Sequence, residues 1–188
     1  FCINELSKNN ELRVAYYKVF KKFTDLIIGN ELAMQKKLNL SIQLPKDNSS
    51  LLTIHADTWS GDSPFETVCW LPMVDCTNTM CMFILPAYNY NYFEEKYSEL
   101  KNKNSDDLLK SLRDKLLWIE IKYGEVLVFN QNLPHGNVIN NEKNSRWSFN
   151  CRFKSIFTPY KDKKIGEFFE PITLKATSKV ALKYKFPS

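Results

Sequence analysis

The 188 residues contain no run of 18 or more apolar side chains, which excludes a membrane-spanning helix of ordinary length. No charged-then-apolar leader with a small-residue cleavage site opens the chain. It begins at Phe1 rather than methionine, so an upstream piece stays open. The five cysteines (Cys2, Cys69, Cys76, Cys81 and Cys151) are odd in number and form no C-x-x-C pair, which argues against a disulfide frame or a zinc knot. Most lie in apolar, strand-like stretches, where free cysteine behaves as a small hydrophobe. Reduced thiols and a cytoplasmic location are therefore expected. A net charge of +5 is spread over lysines interleaved with carboxylates. It lacks the tight basic cluster of a nucleic-acid footprint. No internal repeat, low-complexity block or linker breaks the chain. Scarcest of all is histidine, with two in total, His55 and His135.

What is present reads as one domain over 1–188, long enough to bury a core. Apolar residues at Leu12, Val14, Tyr16, Val19, Phe20, Phe23 and Ile27 have mostly helical spacing. With Gly29 as C-cap they predict a helix over about 10–29. "LNLSIQL", "LLTIHAD", "ETVCWLPMVD" and "TMCMFILP" are short apolar or alternating runs bounded by turn residues, and read as strands. "NKNSDDLLKSLRDKLLW" restores helical period, "IEIKYGEVLVFN" reads strand–turn–strand, and "SRWSFNCRFKSIF" alternates again. The core is expected over about 38–157, followed by an irregular, basic tail over 158–188. This order predicts a mainly β (α+β) sandwich or barrel with helices packed outside.

The two histidines fall in suggestive places. His55 opens His-Ala-Asp at the end of the run "SSLLTIH", and Asp57 follows two residues on. In an extended strand those side chains share a face, roughly 6.5–7 Å apart by Cα, and can converge on one ion. His135 follows the strand "EVLVF" and a proline turn, and Arg146 comes eleven residues later (146 − 135). Two imidazoles and one carboxylate on one face of Fe(II) leave three positions open for a cosubstrate and O₂. A nearby arginine can grip a dicarboxylate in two-pronged fashion. Each part alone has an ordinary reading: a capped strand end, a turn histidine, a solvated charge.

Together, H-x-D, "GEVLVFNQNLPHGN" and the arginine eleven residues on resemble the iron(II)- and 2-oxoglutarate-dependent dioxygenases. "VCWLPMVDCTNTMCMFILP" is similar to a segment of the phytanoyl-CoA hydroxylase-like branch, and "HADTWSGDSPFETVCWLPMVD" with "PHGN" and "SRWSFNCRFK" resembles the subgroup found in carbohydrate biosynthesis clusters. The resemblance covers about 38–157. It implies a distorted double-stranded β-helix, a jelly roll like that of cupins, with supporting N-terminal and inserted helices. It also implies an oxidoreductase that uses Fe(II), 2-oxoglutarate and O₂ to hydroxylate or oxidise a C–H bond of a small polar substrate, sugar-like, with release of succinate and CO₂. His55, Asp57 and His135 match the metal triad, and Arg146 matches the arginine that holds the far carboxylate of 2-oxoglutarate. Arg152 shares the parity of Arg146 and is the second choice for that role. Trp59, Ser60, Asp62, Ser63, Asn137 and Asn150 are candidate substrate contacts. The glycine-serine expected after Pro86 is replaced by "AYNYNYF", which leaves recognition there unassigned: Tyr88, Tyr90 and Tyr92 form either a lid or half-buried packing. A homo-oligomer stays open. Three rivals remain: a cupin-type isomerase or epimerase, which tends to carry three or four histidines; an inactive jelly-roll binding module; and a nucleic-acid-modifying oxygenase, which would want basic and aromatic side chains around the mouth and which the lysine-rich tail leaves open.

Overall fold

The computed structural model describes residues 5–6, 9–102 and 104–187, so Cys2 lies outside the described residues. Helix α1 (Asn10–Ile27) starts where the Asn9 Oδ1 accepts from the Leu12 N–H at 3.0 Å. Its inner stripe is Tyr16, Phe20 and Thr24, spaced by four and all buried. The helix ends as expected, with the Ile28 and Gly29 N–H groups closing on the Thr24 carbonyl and Gly29 leaving at φ +123°.

The strands are β1 (Leu32–Gln35), β2 (Asn39–Gln43), β3 (Thr67–Pro72), β4 (Met82–Ile84), β5 (Leu117–Ile119), β6 (Leu127–Asn130), β7 (His135–Asn137), β8 (Arg146–Ser155) and β9 (Phe169–Thr173). They form two antiparallel sheets. One runs β6-β3-β8-β1-β9, with β2 also paired to β8; the other is β5-β4-β7. Val68, Trp70 and Phe129 of the first sheet pack with Met82 and Ile84 of the second. Helices α2 (Tyr90–Leu100) and α3 (Ser105–Leu112) lie over the smaller sheet through Phe93, Leu108 and Leu112, against Phe83 and Leu85. No described helix is long and apolar enough to cross a membrane.

Strand β8 organises the molecule because its period-2 pattern carries two chemistries. Cys151 and Phe153 meet Tyr16 and Phe20 of α1, each buried aromatic contributing on the order of 2 kcal/mol by removal from water. Arg146, Asn150 and Arg152, of the opposite parity, line a cavity between the sheets.

Two elements differ from the sequence expectation, and the tyrosine-rich stretch takes one of its two stated readings, half-buried packing. The 158–188 tail is not irregular: β9 pairs with β1 along its length, and α4 (Ala176–Ala181) follows. Phe169 on β9 is fully buried, so tertiary packing overrides a weak local signal. The tyrosine-rich stretch after Pro86 is a short 3₁₀ turn leading into α2, where Tyr90 and Tyr92 pack on the Phe93 cluster while Tyr88 is exposed. "LLTIHAD" is not a continuous strand. The Asn137 backbone N–H donates to the Leu52 carbonyl at 2.9 Å while its side-chain oxygen accepts from the Leu52 N–H at 2.8 Å, and the bridge to β7 is an isolated one at His55.

Candidate metal centre

His55 and His135 face each other as a reciprocal backbone pair. The His55 N–H donates to the His135 carbonyl at 3.0 Å and the His135 N–H returns to the His55 carbonyl at 2.8 Å. Their rings stand 4.5 Å apart by centroid. Gly136 permits this approach, because a Cβ there would stand 2.7 Å from both the Phe83 Cζ and the Leu52 carbonyl oxygen. Asp57 arrives by a route the strand argument did not foresee. Its N–H donates to the Gln131 carbonyl at 3.2 Å, and it opens a 3₁₀ turn, Asp57–Ser60, that curls the carboxylate back toward the imidazoles.

Candidate ligand atoms of His55, Asp57 and His135 lie within 4.8 Å of one another. Each histidine places its Nδ1 on a main-chain carbonyl two residues earlier, Thr53 at 2.7 Å and Leu133 at 2.8 Å. A carbonyl can only accept, so Nδ1 carries the proton and the Nε2 lone pair is left for a metal. Burial, reinforced by neighbouring His55, pushes His135 down to about 4, which keeps it neutral and ligand-ready at physiological pH. Burial opposes charge on His55 too, but the Asp57 carboxylate and the Thr53 carbonyl outweigh it and raise its pKa. Asp57 is also penalised by burial, yet His55 and Arg152 hold its carboxyl well below the usual carboxylate range. The donor set therefore fits a divalent first-row metal.

The adjoining cavity, 240 Å³ in volume, contains both arginines. Arg146 is 3% exposed, and among the described residues only one of its five N–H groups, on Nη1, has a partner, the Met80 carbonyl at 3.2 Å. Its buried Nε has none. A buried guanidinium with free donors calls for an anion. Arg152 is already engaged: Nη2 donates to the Asp57 Oδ2 at 2.6 Å and Nε to the Gln131 Oε1 at 2.9 Å.

Asn137 and Asn150 line the cavity, whereas Trp59, Ser60, Asp62 and Ser63 do not. Trp59 stacks on Phe93 at 5.7 Å, against α2. Ser60 is exposed. Asp62 is buried and paired with Lys163, and the Ser63 Oγ donates to the Pro159 carbonyl at 2.6 Å. Together they tie the turn after the ligands to the 159–163 loop. Sequence reasoning missed Gln131, Asn39 and Ser41. The last two stand opposite Asn150 and Ser148 on β8, and strand alternation was the signal available for them.

No protein-family model matches the chain, and no curated protein matches it. Solved structures do. The non-heme monooxygenase ThoJ, as a nickel complex, is 15% identical with a TM-score of 0.63, over 88% of this chain and 60% of that one. SnoK, a non-heme alpha-ketoglutarate-dependent carbocyclase from nogalamycin biosynthesis, is 14% identical with a TM-score of 0.61, over 89% and 74%. HygX from Streptomyces hygroscopicus, with nickel and 2-oxoglutarate bound, is 12% identical with a TM-score of 0.57, over 87% and 68%. The chain thus spans about three fifths of the length of the ThoJ structures. What the chain shares with these structures is its fold.

Proposed function

We propose that the protein is an Fe(II)- and 2-oxoglutarate-dependent oxygenase of jelly-roll fold, akin to the phytanoyl-CoA hydroxylase-like branch. It oxidises a C–H bond of a small polar, sugar-like substrate. The observation that carries this reading is the pairing, in one cavity, of a His-Asp-His donor set with a buried arginine most of whose N–H groups lack partners among the described residues.

His55 and His135 would hold Fe(II) through Nε2 and Asp57 through a carboxylate oxygen. The bound metal supplies the oxidising chemistry, with 2-oxoglutarate and O₂ consumed and succinate and CO₂ released. Arg146 binds the distal carboxylate of 2-oxoglutarate and fixes the depth at which it sits. Arg152 steadies Asp57 by occupying Oδ2, which leaves Oδ1, the oxygen 3.6 Å from the His55 Nε2, toward the metal. The apolar wall of Val68, Trp70 and Phe129 excludes water from the reacting end.

Succinate release from 2-oxoglutarate with Fe(II) and ascorbate, with and without candidate sugars, tests the proposal. Turnover that requires His135 supports it. Full activity in His135→Ala, or no binding of 2-oxoglutarate in the presence of metal, refutes it.

A further inference from the structure

Arg146 and Arg152 can only donate hydrogen bonds, but Asn150, which lies between them on the same face of β8, can present either its oxygen or its nitrogen to the cavity. A chain of contacts removes that choice. The Arg152 backbone N–H donates to the Gln35 Oε1 at 3.2 Å. The Gln35 Nε2 donates to the Asn39 Oδ1 at 3.1 Å. The Asn39 Nδ2 then donates to the Asn150 Oδ1 at 2.9 Å. A backbone N–H cannot accept, so it sets the direction of every amide after it. Flipping any one of the three places donor on donor or acceptor on acceptor. The remaining end is the Asn150 Nδ2, which has no partner among the described residues and sits on a cavity-lining side chain. Gln35 is buried and outside the cavity wall.

We propose that Gln35 and Asn39 are positioning residues that lock Asn150 with its Nδ2 toward the cavity, as a fixed donor to an oxygen of bound 2-oxoglutarate. This rests on the function proposed above. With Arg146 and Arg152, the arrangement presents N–H donors to the ligand and selects an electron-rich acid over a ligand that must itself donate.

The test uses the whole chain, loaded with Zn²⁺ as a diamagnetic stand-in, and titrates 2-oxoglutarate while following ¹⁵N side-chain amide signals. Loss of a signal in Asn150→Ser assigns Asn150. In the wild type, the Asn150 NH₂ signals are expected to move on saturation. In Gln35→Glu the direction of the chain reverses: the introduced carboxylate accepts from Asn39, whose Oδ1 then takes the Asn150 Nδ2. Affinity should fall about tenfold or more, and at saturating ligand the Asn150 signals should no longer respond. Extra negative charge alone would weaken binding but leave that response intact. Gln35→Met releases the chain without reversing it and should stay within about threefold of wild type. Equal losses in Gln35→Met and Gln35→Glu would indicate packing and overturn the inference. Binding with unmoved Asn150 signals also overturns it, and leaves the oxygenase reading standing. No binding of 2-oxoglutarate by the metal-loaded wild type overturns both.

Discussion

At the scale of single residues, the centre is a set of buried charges and imidazoles held ready by their neighbours. Arg146 is buried with most of its donors unused, so it costs stability until an anion arrives. Arg146→Met should therefore leave the thermal midpoint of the ligand-free protein unchanged or raised, while 2-oxoglutarate affinity measured by calorimetry with metal drops about a hundredfold. A midpoint that falls by several degrees would show that Arg146 supports the fold instead. His135 gives a pH signature. Burial and neighbouring His55 bring it down to about 4, from an unfolded value near 6.5. A depressed histidine contributes stability that is present above pH 6.5 and is lost as pH falls toward 4. In EDTA, the urea midpoint should drop across that window, by up to about 3 kcal/mol of unfolding free energy. The raised pKa of His55 works in the opposite direction and softens the drop. His135→Asn should flatten the profile; an identical slope in the variant would assign the effect to other groups.

At the scale of elements, the short strand β7 and the segment before Asp57 form the site between them, and Gly136 sets their separation. Adding a methyl there meets the Phe83 ring and the Leu52 carbonyl oxygen at 2.7 Å. Gly136→Ala should cost about 1–3 kcal/mol and weaken metal binding, as followed by urea titration and by quenching of tryptophan fluorescence with Ni²⁺. Undiminished metal affinity would mean that the His55–His135 pair tolerates displacement. The legibility of these elements was uneven, for a physical reason. Helix α1 and strand β8 announce themselves because their periodicities are long and face a core. The first turn after His55 does not, because its shape is dictated by Gln131 and Arg152, 74 and 95 residues away from Asp57 in sequence. Asp62 and Ser63, read from the sequence as candidate substrate contacts, bind the 159–163 loop for the same reason.

At the scale of the whole molecule, the C-terminal segment closes the larger sheet. Strand β9 covers the free edge of β1, and Phe169 is fully buried with it. Deleting 158–188 should expose that edge and abolish cooperative unfolding by circular dichroism; a soluble, cooperatively unfolding truncation would contradict this. The described cysteines are all free and buried, and burial pushes Cys76 and Cys81 up to about 11 and Cys151 to about 12. They should react with a disulfide reagent at pH 7–8 only as the protein unfolds, with the urea profile of thiol labelling following that of circular dichroism.

The sequence by itself determined the residues of the candidate centre: two histidines in the entire chain, an aspartate two beyond one and an arginine eleven beyond the other. Those identities follow from local spacing, which one-dimensional order preserves. Only the tertiary structure decided their surroundings. It places Arg146 buried with free donors and Arg152 on Asp57, although both share one strand face and one parity. It also joins Gln35, Asn39 and Asn150 from three strands into one hydrogen-bonded chain. Such partnerships depend on which strands lie side by side, and that is set by burial of the whole core rather than by any neighbouring residue.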